Sequence, residues 1–413
     1  MENISRLGLQ VRDNTAYPDI LVISRIFRPD EAVIGEYVYN RCLQDPDRVI
    51  VLAGGCAGDK KFDKSQQFPV YRWVNFPAWC DNWLGNIIQS GFNISAAFLL
   101  AIRLYFRYHY RYIEWCQGYD FPALLVLSYI LPIRFFIYLH DNDLVRTASN
   151  PLWRWLLKLT LKRADGIICN SSYIRNSLRN TFRLDTPTHV INPVVRPEKF
   201  GNPTSLSHID DLRNRIRQTY NIPETAIVIL SVGNLVKYKN FDRVIDNIPV
   251  LLNFGVDVHC IICGEGSCEN QLKSQAQRLR IAKRVHFAGY VPERDLAGYY
   301  AACDIFAMLN SDHHQDQDQN IDNFGVVYLE AGYFGKPVVA SRLGSVLDAV
   351  HHEENGLLVN PDSGYEVLQA FNRLCQDSQL REKLGRQGKE LAKRKTYHRW
   401  LYSPESCSSC LLN

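Results

Sequence analysis

What this sequence lacks narrows the field before any motif is read. Its net charge is only +4, from 47 Lys and Arg against 43 Asp and Glu, too mild and too mixed for a nucleic-acid partner, and no nucleic-acid module accompanies it. The first thirty residues carry Arg6, Arg12, Arg25 and Arg28 around one short apolar run, Ile20 to Ile23, without a small-residue cleavage site, so no secretory signal is expected. No repeat or low-complexity tract is evident apart from the polar stretch 311–323. The 12 cysteines are scattered, most inside apolar runs such as Ile167-Ile168-Cys169 and Ile261-Ile262-Cys263, the pattern of reduced buried thiols and of a cytosolic setting. Cys407 and Cys410 form the single C-x-x-C, with no second pair to complete a zinc site, and the closing Cys410-Leu-Leu-Asn413 ends in an unusual residue for prenylation. An unbroken membrane-length apolar run is missing too. The nearest, 121–139, is divided by Pro122, Pro132 and Arg134 into a short buried helix, a break near Pro132 and a strand over 135–139.

What is present is a chain of 413 residues, long enough for two domains with separate cores. Short apolar runs followed by turn residues and helical patterns recur in both halves, the alternation of parallel sheets covered by helices. The predicted strands are 20–24, 49–53, 135–139, 166–169 and 189–191, then 227–232, 258–263, 285–287, 305–307 and 338–340. This predicts two doubly wound α/β domains, residues 1–195 and 211–390, joined by a Pro/Asn/Ser-rich linker at 196–210 and followed by a basic, Cys/Ser-rich tail at 391–413. Sites in such sheets lie beyond the carboxyl ends of the strands, so two facing domains predict a reaction in the cleft between them.

The most informative stretch is Phe324-Gly-Val-Val-Tyr-Leu-Glu-Ala331, followed by Gly332-Tyr-Phe-Gly-Lys-Pro-Val-Val-Ala340. Gly325 would open a short helix whose free N–H groups and dipole favour an anion such as a diphosphate, with Glu330 little more than one turn in. Gly335-Lys336-Pro337 would end that helix before a buried strand at 338–340. Ser231-Val-Gly-Asn-Leu-Val-Lys-Tyr-Lys239 follows the first strand of the second half, placing Gly233 at a strand end where backbone can approach a ligand and Lys239 can reach phosphate. Cys263-Gly-Glu-Gly266 offers a similar close approach for a base or ribose.

Together these residues resemble the donor site of the family 4 retaining glycosyltransferases, and the order of His286-Phe-Ala-Gly-Tyr-Val-Pro292 and Tyr299-Tyr-Ala-Ala-Cys-Asp304 extends the likeness over about residues 226–360. The resemblance implies the GT-B fold, two Rossmann-like domains facing a cleft, and transfer of a hexose from a nucleotide sugar with neither metal nor cofactor. It implies a donor site of Gly233, Asn234, Lys239, Gly264, Phe324, Gly325, Val326 and Glu330, with Glu330 on the donor ribose, Lys239 on the diphosphate and Asp322 facing the sugar. His140, after the strand at 135–139, would contact donor sugar or acceptor, and Gly35 with Glu36 would lie on the acceptor side. The wording around Glu330 is closest to mannosyltransferase-like members.

The sequence departs from the family at four places: Asn234 stands where an arginine is usual, Asp322 replaces a glutamate, Ala32-Val33 replaces a Gly-Gly pair, and the end after 391 is altered. Lys237 is a candidate substitute for the missing arginine. These departures leave open a different class, a nucleotide-sugar or glycan-binding protein without turnover. Two further readings concern partners. His313, His314, Asp316 and Asp318 read as a polar loop rather than a metal site. Arg103, Arg107 and Arg111, four apart within the aromatic stretch 98–115, read either as the solvated face of a long helix or as a contact for the inner face of a membrane carrying a lipid-linked acceptor.

Overall fold

In this computed structural model, residues 18–30, 32–74, 83–116, 121–140, 150–201, 206–311 and 325–396 are described. They form a seven-stranded sheet in the order β3-β2-β1-β4-β5-β6-β7 and a six-stranded sheet in the order β10-β9-β8-β11-β12-β13. The first comprises β1 (Ile20–Ser24), β2 (Val49–Gly54), β3 (Val70–Trp73), β4 (Tyr112–Trp115), β5 (Arg134–Leu139), β6 (Gly166–Cys169) and β7 (Thr188–Val190). The second comprises β8 (Ile227–Val232), β9 (Val258–Cys263), β10 (Val285–Gly289), β11 (Ile305–Met308), β12 (Val338–Ser341) and β13 (Gly356–Val359). Neighbouring strands run parallel, as β1 with β2 and β4, or β8 with β9 and β11. Helices on both faces explain why strands such as Val49–Gly54 and Val258–Cys263 are buried throughout and read as continuous apolar runs rather than alternations. By contact density the chain divides into two compact units, 1–137 with 159–166 and 138–158 with 167–413.

The strand at 135–139 and the helix before it are as expected: helix Phe121–Ile130 ends ahead of Pro132 and β5 follows. No helix among the described residues is long and apolar enough to cross a membrane. The expected helix over 98–115 needs correction. Helix Trp83–Tyr108 stops there, His109 adopts a left-handed φ of 51°, and β4 begins at Tyr112. Arg111 is therefore off the helical face of Arg103 and Arg107, and it pairs with Asp19 at 3.1 Å. The reason lies in Glu114, a carboxylate in the middle of a buried strand, whose oxygens take Nε and Nη2 of Arg41 at 3.0 and 2.6 Å with both side chains fully buried. Removing either partner would leave a buried charge uncompensated, a loss of about 3–5 kcal/mol.

A histidine pair, His259 buried and His286 half-buried, ties β9 to β10. His259 Nε2 lies 2.7 Å from Arg284 Nη1, a donor, so Nε2 accepts and the proton sits on Nδ1, which is 2.9 Å from His286 Nε2. Both rings are neutral in this arrangement, with Asp257 bound to the same guanidinium and the Tyr220 ring against His286. Burial, then His259 and Arg284, pushes His286 down from 6.5 to about 4, and burial with Arg284 lowers His259. Between those two values the unfolded chain binds more protons than the folded one at His286, so stability is full above 6.5 and falls as pH drops toward about 4. Urea midpoints measured across that window should rise with pH, with a shallower slope for His286→Gln; equal slopes in both proteins would contradict this.

Candidate functional site

The second sheet reverses direction between β8 and β11: the chain runs outward through β9 and β10, then returns to place β11 on the other side of β8. The crevice beyond the carboxyl ends of two such strands is where open α/β sheets take ligands. Ser231 Oγ joins the pair across this point, donating to the Ala307 carbonyl at 2.7 Å.

Two glycines line the crevice because nothing larger fits. A Cβ on Gly264 would lie 2.0 Å from the Gly233 carbonyl oxygen, and one on Gly233 would lie 3.0 Å from Lys239 Nζ and 3.3 Å from Met308 Cε. The Lys239 ammonium therefore rests directly beside the Gly233 backbone. Its 3-10 turn, Lys237–Lys239, is fixed by Asn240, which adopts a left-handed φ of 50° and donates Nδ2 to the Leu309 carbonyl at 2.7 Å. The Ser311 N–H donates to the Tyr238 carbonyl at 2.7 Å and closes the same turn from the β11 side. Lys239 is half-buried, whereas Asn234 and Lys237 are exposed.

Helix Val326–Tyr333 approaches from the other side of β11 and opens without a side-chain cap, leaving its first N–H groups to a ligand or water. Gly325 precedes it at φ 66°, and a Cβ there would lie 2.3 Å from Cε2 of Tyr328, whose hydroxyl donates to the Met308 carbonyl at 3.0 Å. Gly332 packs against Gly388 of helix Ser378–Thr396, where a Cβ would come within 2.9 Å of the Gly388 oxygen. Lys336 in the following turn donates to the Ala301 and Cys303 carbonyls at 3.0 and 2.6 Å, closing the end of helix Glu293–Ala302. Glu330 is 3% exposed. One of its oxygens accepts from Lys199 Nζ at 2.5 Å and the other from the Tyr300 hydroxyl at 2.7 Å.

The contacts thus bring Gly233, Lys239 and Gly264 together, and join them through Met308 and Tyr328 to Gly325, which Val326 follows as the first residue of the helix. His140 directly follows β5 and is buried. Glu36 lies in the first turn of helix Val33–Cys42 and is buried too, paired with Arg28 at 2.9 Å, and a Cβ on Gly35 would lie 3.1 Å from the Asp30 carbonyl. Asp322, Phe324, His313, His314, Asp316, Asp318, Cys407 and Cys410 lie outside the described residues. Among the described residues no group of three or more His, Cys, Asp or Glu is placed to hold a metal, and the cysteines are free thiols.

Residues 213–391 match the model of the glycosyl transferases group 1, and residues 37–199 that of glycosyltransferase family 4. The chain belongs to the family 4 glycosyltransferases. Among relatives of this family, a GDP-mannose-dependent alpha-(1-6)-phosphatidylinositol monomannoside mannosyltransferase of Mycolicibacterium smegmatis is 27% identical over 59% of this chain and 61% of its own length. A D-inositol 3-phosphate glycosyltransferase of Corynebacterium glutamicum is 30% identical over 45% of this chain and 43% of its own. The chain thus matches 61% of the length of the first relative and 43% of the second. Anabaena HepE, solved in complex with UDP, superposes with a TM-score of 0.73 at 21% identity, over 95% of this chain and 99% of that one. Sucrose-phosphate synthase of Thermosynechococcus elongatus does so at 0.69 and 18%, over 95% and 97%. These likenesses give the GT-B fold of two Rossmann-like domains.

Lys199 was not legible as a site residue of this family 4 chain, since it falls in a stretch that reads as linker and only its burial beside Glu330 reveals it. The glycine contacts make a steric prediction. Gly264→Ala should cost roughly 1–3 kcal/mol by overpacking and weaken nucleotide binding. Gly91→Ala, on a helix with nothing within 4 Å of the new Cβ, should be neutral or stabilising. Denaturant midpoints and nucleotide titration of the two variants check this, and an unperturbed Gly264→Ala would contradict it.

Proposed function

We propose that the chain is a retaining, metal-independent hexosyltransferase that takes its sugar from a nucleoside diphosphate donor, with no cofactor, and passes it to a glycan or lipid-linked acceptor. The observation that carries this is the Lys239 ammonium seated beside the bare Gly233 backbone at the reversal point of the second sheet. A diphosphate lying along Gly233 would meet that cation, and the uncapped start of helix Val326–Tyr333 would add its dipole. In same-face transfer the acceptor oxygen bonds to the anomeric carbon while the carbon–oxygen bond to phosphate breaks. The electron pair goes to the leaving diphosphate, which takes the acceptor's proton. Lys239 stabilises the charge that develops there. Glu330 would hold the ribose, Asp322 and His140 would face the sugar, and Gly35 and Glu36 would lie toward the acceptor. The mannosyltransferase relative makes GDP-mannose the first donor to try.

Asn234 favours a second reading, a nucleotide-sugar-binding protein without turnover, because an exposed amide replaces one of two expected cations. One experiment in chelator-treated buffer addresses both readings. Lys239→Ala should lower kcat/KM roughly 30- to 1,000-fold, the effect of losing about 2–4 kcal/mol of charge stabilisation, and Asn234→Arg should leave the rate equal or raise it. An unchanged rate in Lys239→Ala would remove the site, transfer abolished by chelation and restored by a divalent cation would overturn metal independence, and binding without turnover in every variant would support the second reading.

A cytosolic protein working on a lipid-linked acceptor would need a way to meet the membrane, and helix Trp83–Tyr108 fits. It has no acidic residue in its sequence, exposes Phe92, Leu99 and Phe106 seven apart, and exposes Arg103 and Arg107 beside them. Binding to phosphatidylglycerol vesicles should weaken severalfold in the double variant Arg103→Glu, Phe106→Ser, and equal co-sedimentation would contradict this contact.

A further inference from the structure

We propose that Lys199 and Tyr300 are positioning residues that hold the Glu330 carboxylate so that one acceptor site on each of its oxygens is left for two neighbouring hydroxyls of the donor. This rests on the reading of Glu330 as the ribose residue and goes beyond it, because it names what sets that carboxylate's orientation and which hydroxyl pair it can take.

The argument begins with burial. The Lys199 side chain is 9% exposed and that of Glu330 4%. An ammonium taken that far out of water is costly unless it is paired and its protons are used. Lys199 Nζ is paired, donating to Glu330 Oε1 at 2.5 Å with the Glu293 carboxylate 3.6 Å away as a second counter-charge. Its position is set by its neighbour: Phe200, in the same 3-10 turn Pro197–Phe200, is buried with its ring 6.0 Å from Tyr300, 6.2 Å from Tyr333 and 5.2 Å from Phe334. Tyr300 is locked in turn by stacking on Phe334 at 5.5 Å, which aims its hydroxyl at Glu330 Oε2. Burial and the adjacent Glu330 raise the Tyr300 phenol well above its ordinary value, so it stays a donor at any working pH.

The geometry then sets the capacity of the site. An ionised carboxylate has two oxygens and about four acceptor positions. Lys199 uses one on Oε1 and Tyr300 one on Oε2, which leaves one on each oxygen, on opposite branches of a fixed carboxylate. That pattern suits two donors on adjacent carbons, as in the 2′ and 3′ hydroxyls of a ribose. A carboxylate freed from Lys199 or Tyr300 would turn, and it would then take a single hydroxyl as readily as a pair.

The contact is present in ground and transition states alike, so its loss should raise KM and spare kcat. The test titrates GDP and UDP, each against its 2′-deoxy analogue, into the 413-residue chain and into Lys199→Met, Lys199→Arg and Tyr300→Phe. In the parent protein the 2′-deoxy analogue of the preferred nucleotide should bind about tenfold more weakly. In Lys199→Met that penalty should fall below about twofold, in Tyr300→Phe it should fall partway, and in Lys199→Arg it should be largely kept, with donor KM rising in the same order and kcat changing less than about threefold. A parent protein indifferent to the 2′ hydroxyl would overturn the ribose reading itself. A parent that discriminates, beside a Lys199→Met protein that discriminates equally, would leave that reading standing and overturn the positioning role alone. Should circular dichroism show Lys199→Met unfolded, Tyr300→Phe, which keeps the ring and its stacking, decides by the same comparison.

Discussion

The turns that leave β8 and β9 approach so closely that the Gly233 carbonyl oxygen occupies the space a Cβ on Gly264 would need. The rest of the second unit's carboxyl edge depends on that approach. It lets the Gly233 backbone face the crevice bare, and it leaves the Lys239 ammonium seated against that backbone. The turn that carries Lys239 is then tied to the segment after β11 by Asn240 and Ser311, so the cation is held from both sides of the point where the sheet reverses. An ammonium held this way needs little reorganisation to meet a developing negative charge, which is the condition under which electrostatic stabilisation counts most.

A second constraint runs through both units: charge enters the interior only with its partner. Arg41 and Glu114 form such a pair beneath the first sheet, and Lys199 and Glu330 form another within the second unit. The two differ in what they leave over. Arg41 meets Glu114 through two nitrogens and reaches Asp45 with the third, saturating a structural contact. Glu330 is met by one donor on each oxygen and keeps acceptor capacity. The same physics that makes the first pair a fixture makes the second, on the reading proposed for Glu330, an oriented receptor.

Much of this was legible in the sequence, and the reasons it was not elsewhere are specific. Val49–Gly54 and Val258–Cys263 announce themselves because strands covered on both faces are apolar throughout. Val70–Trp73 does not, since Arg72 turns to Asp63 and breaks the run. Tyr112–Trp115 was hidden inside a helical pattern, because a glutamate in a strand reads as surface until its arginine is seen 73 positions earlier in the chain. Gly356–Val359 is four residues long and opens on a glycine, which is ordinarily a strand breaker; it is tolerated here because a Cβ would meet the Val338 carbonyl of the next strand at 2.5 Å. At the site, Gly233, Gly264 and Gly325 could be read as points of close backbone approach, and each has a positive φ and a neighbour within 3.0 Å of where a Cβ would lie. Lys199 could not, because a lysine beside a phenylalanine in a Pro-rich stretch carries no local sign that it will be buried against a carboxylate 131 positions later.

The most direct measurement is calorimetric binding, with sugar release followed in parallel, for GDP-mannose, UDP-glucose, UDP-galactose, UDP-N-acetylglucosamine and ADP-glucose. A nucleotide-sugar donor site at the β8–β11 crevice predicts selective binding of one of the five, with slow release of its sugar in the absence of acceptor. A folded protein that binds none of them would contradict the account.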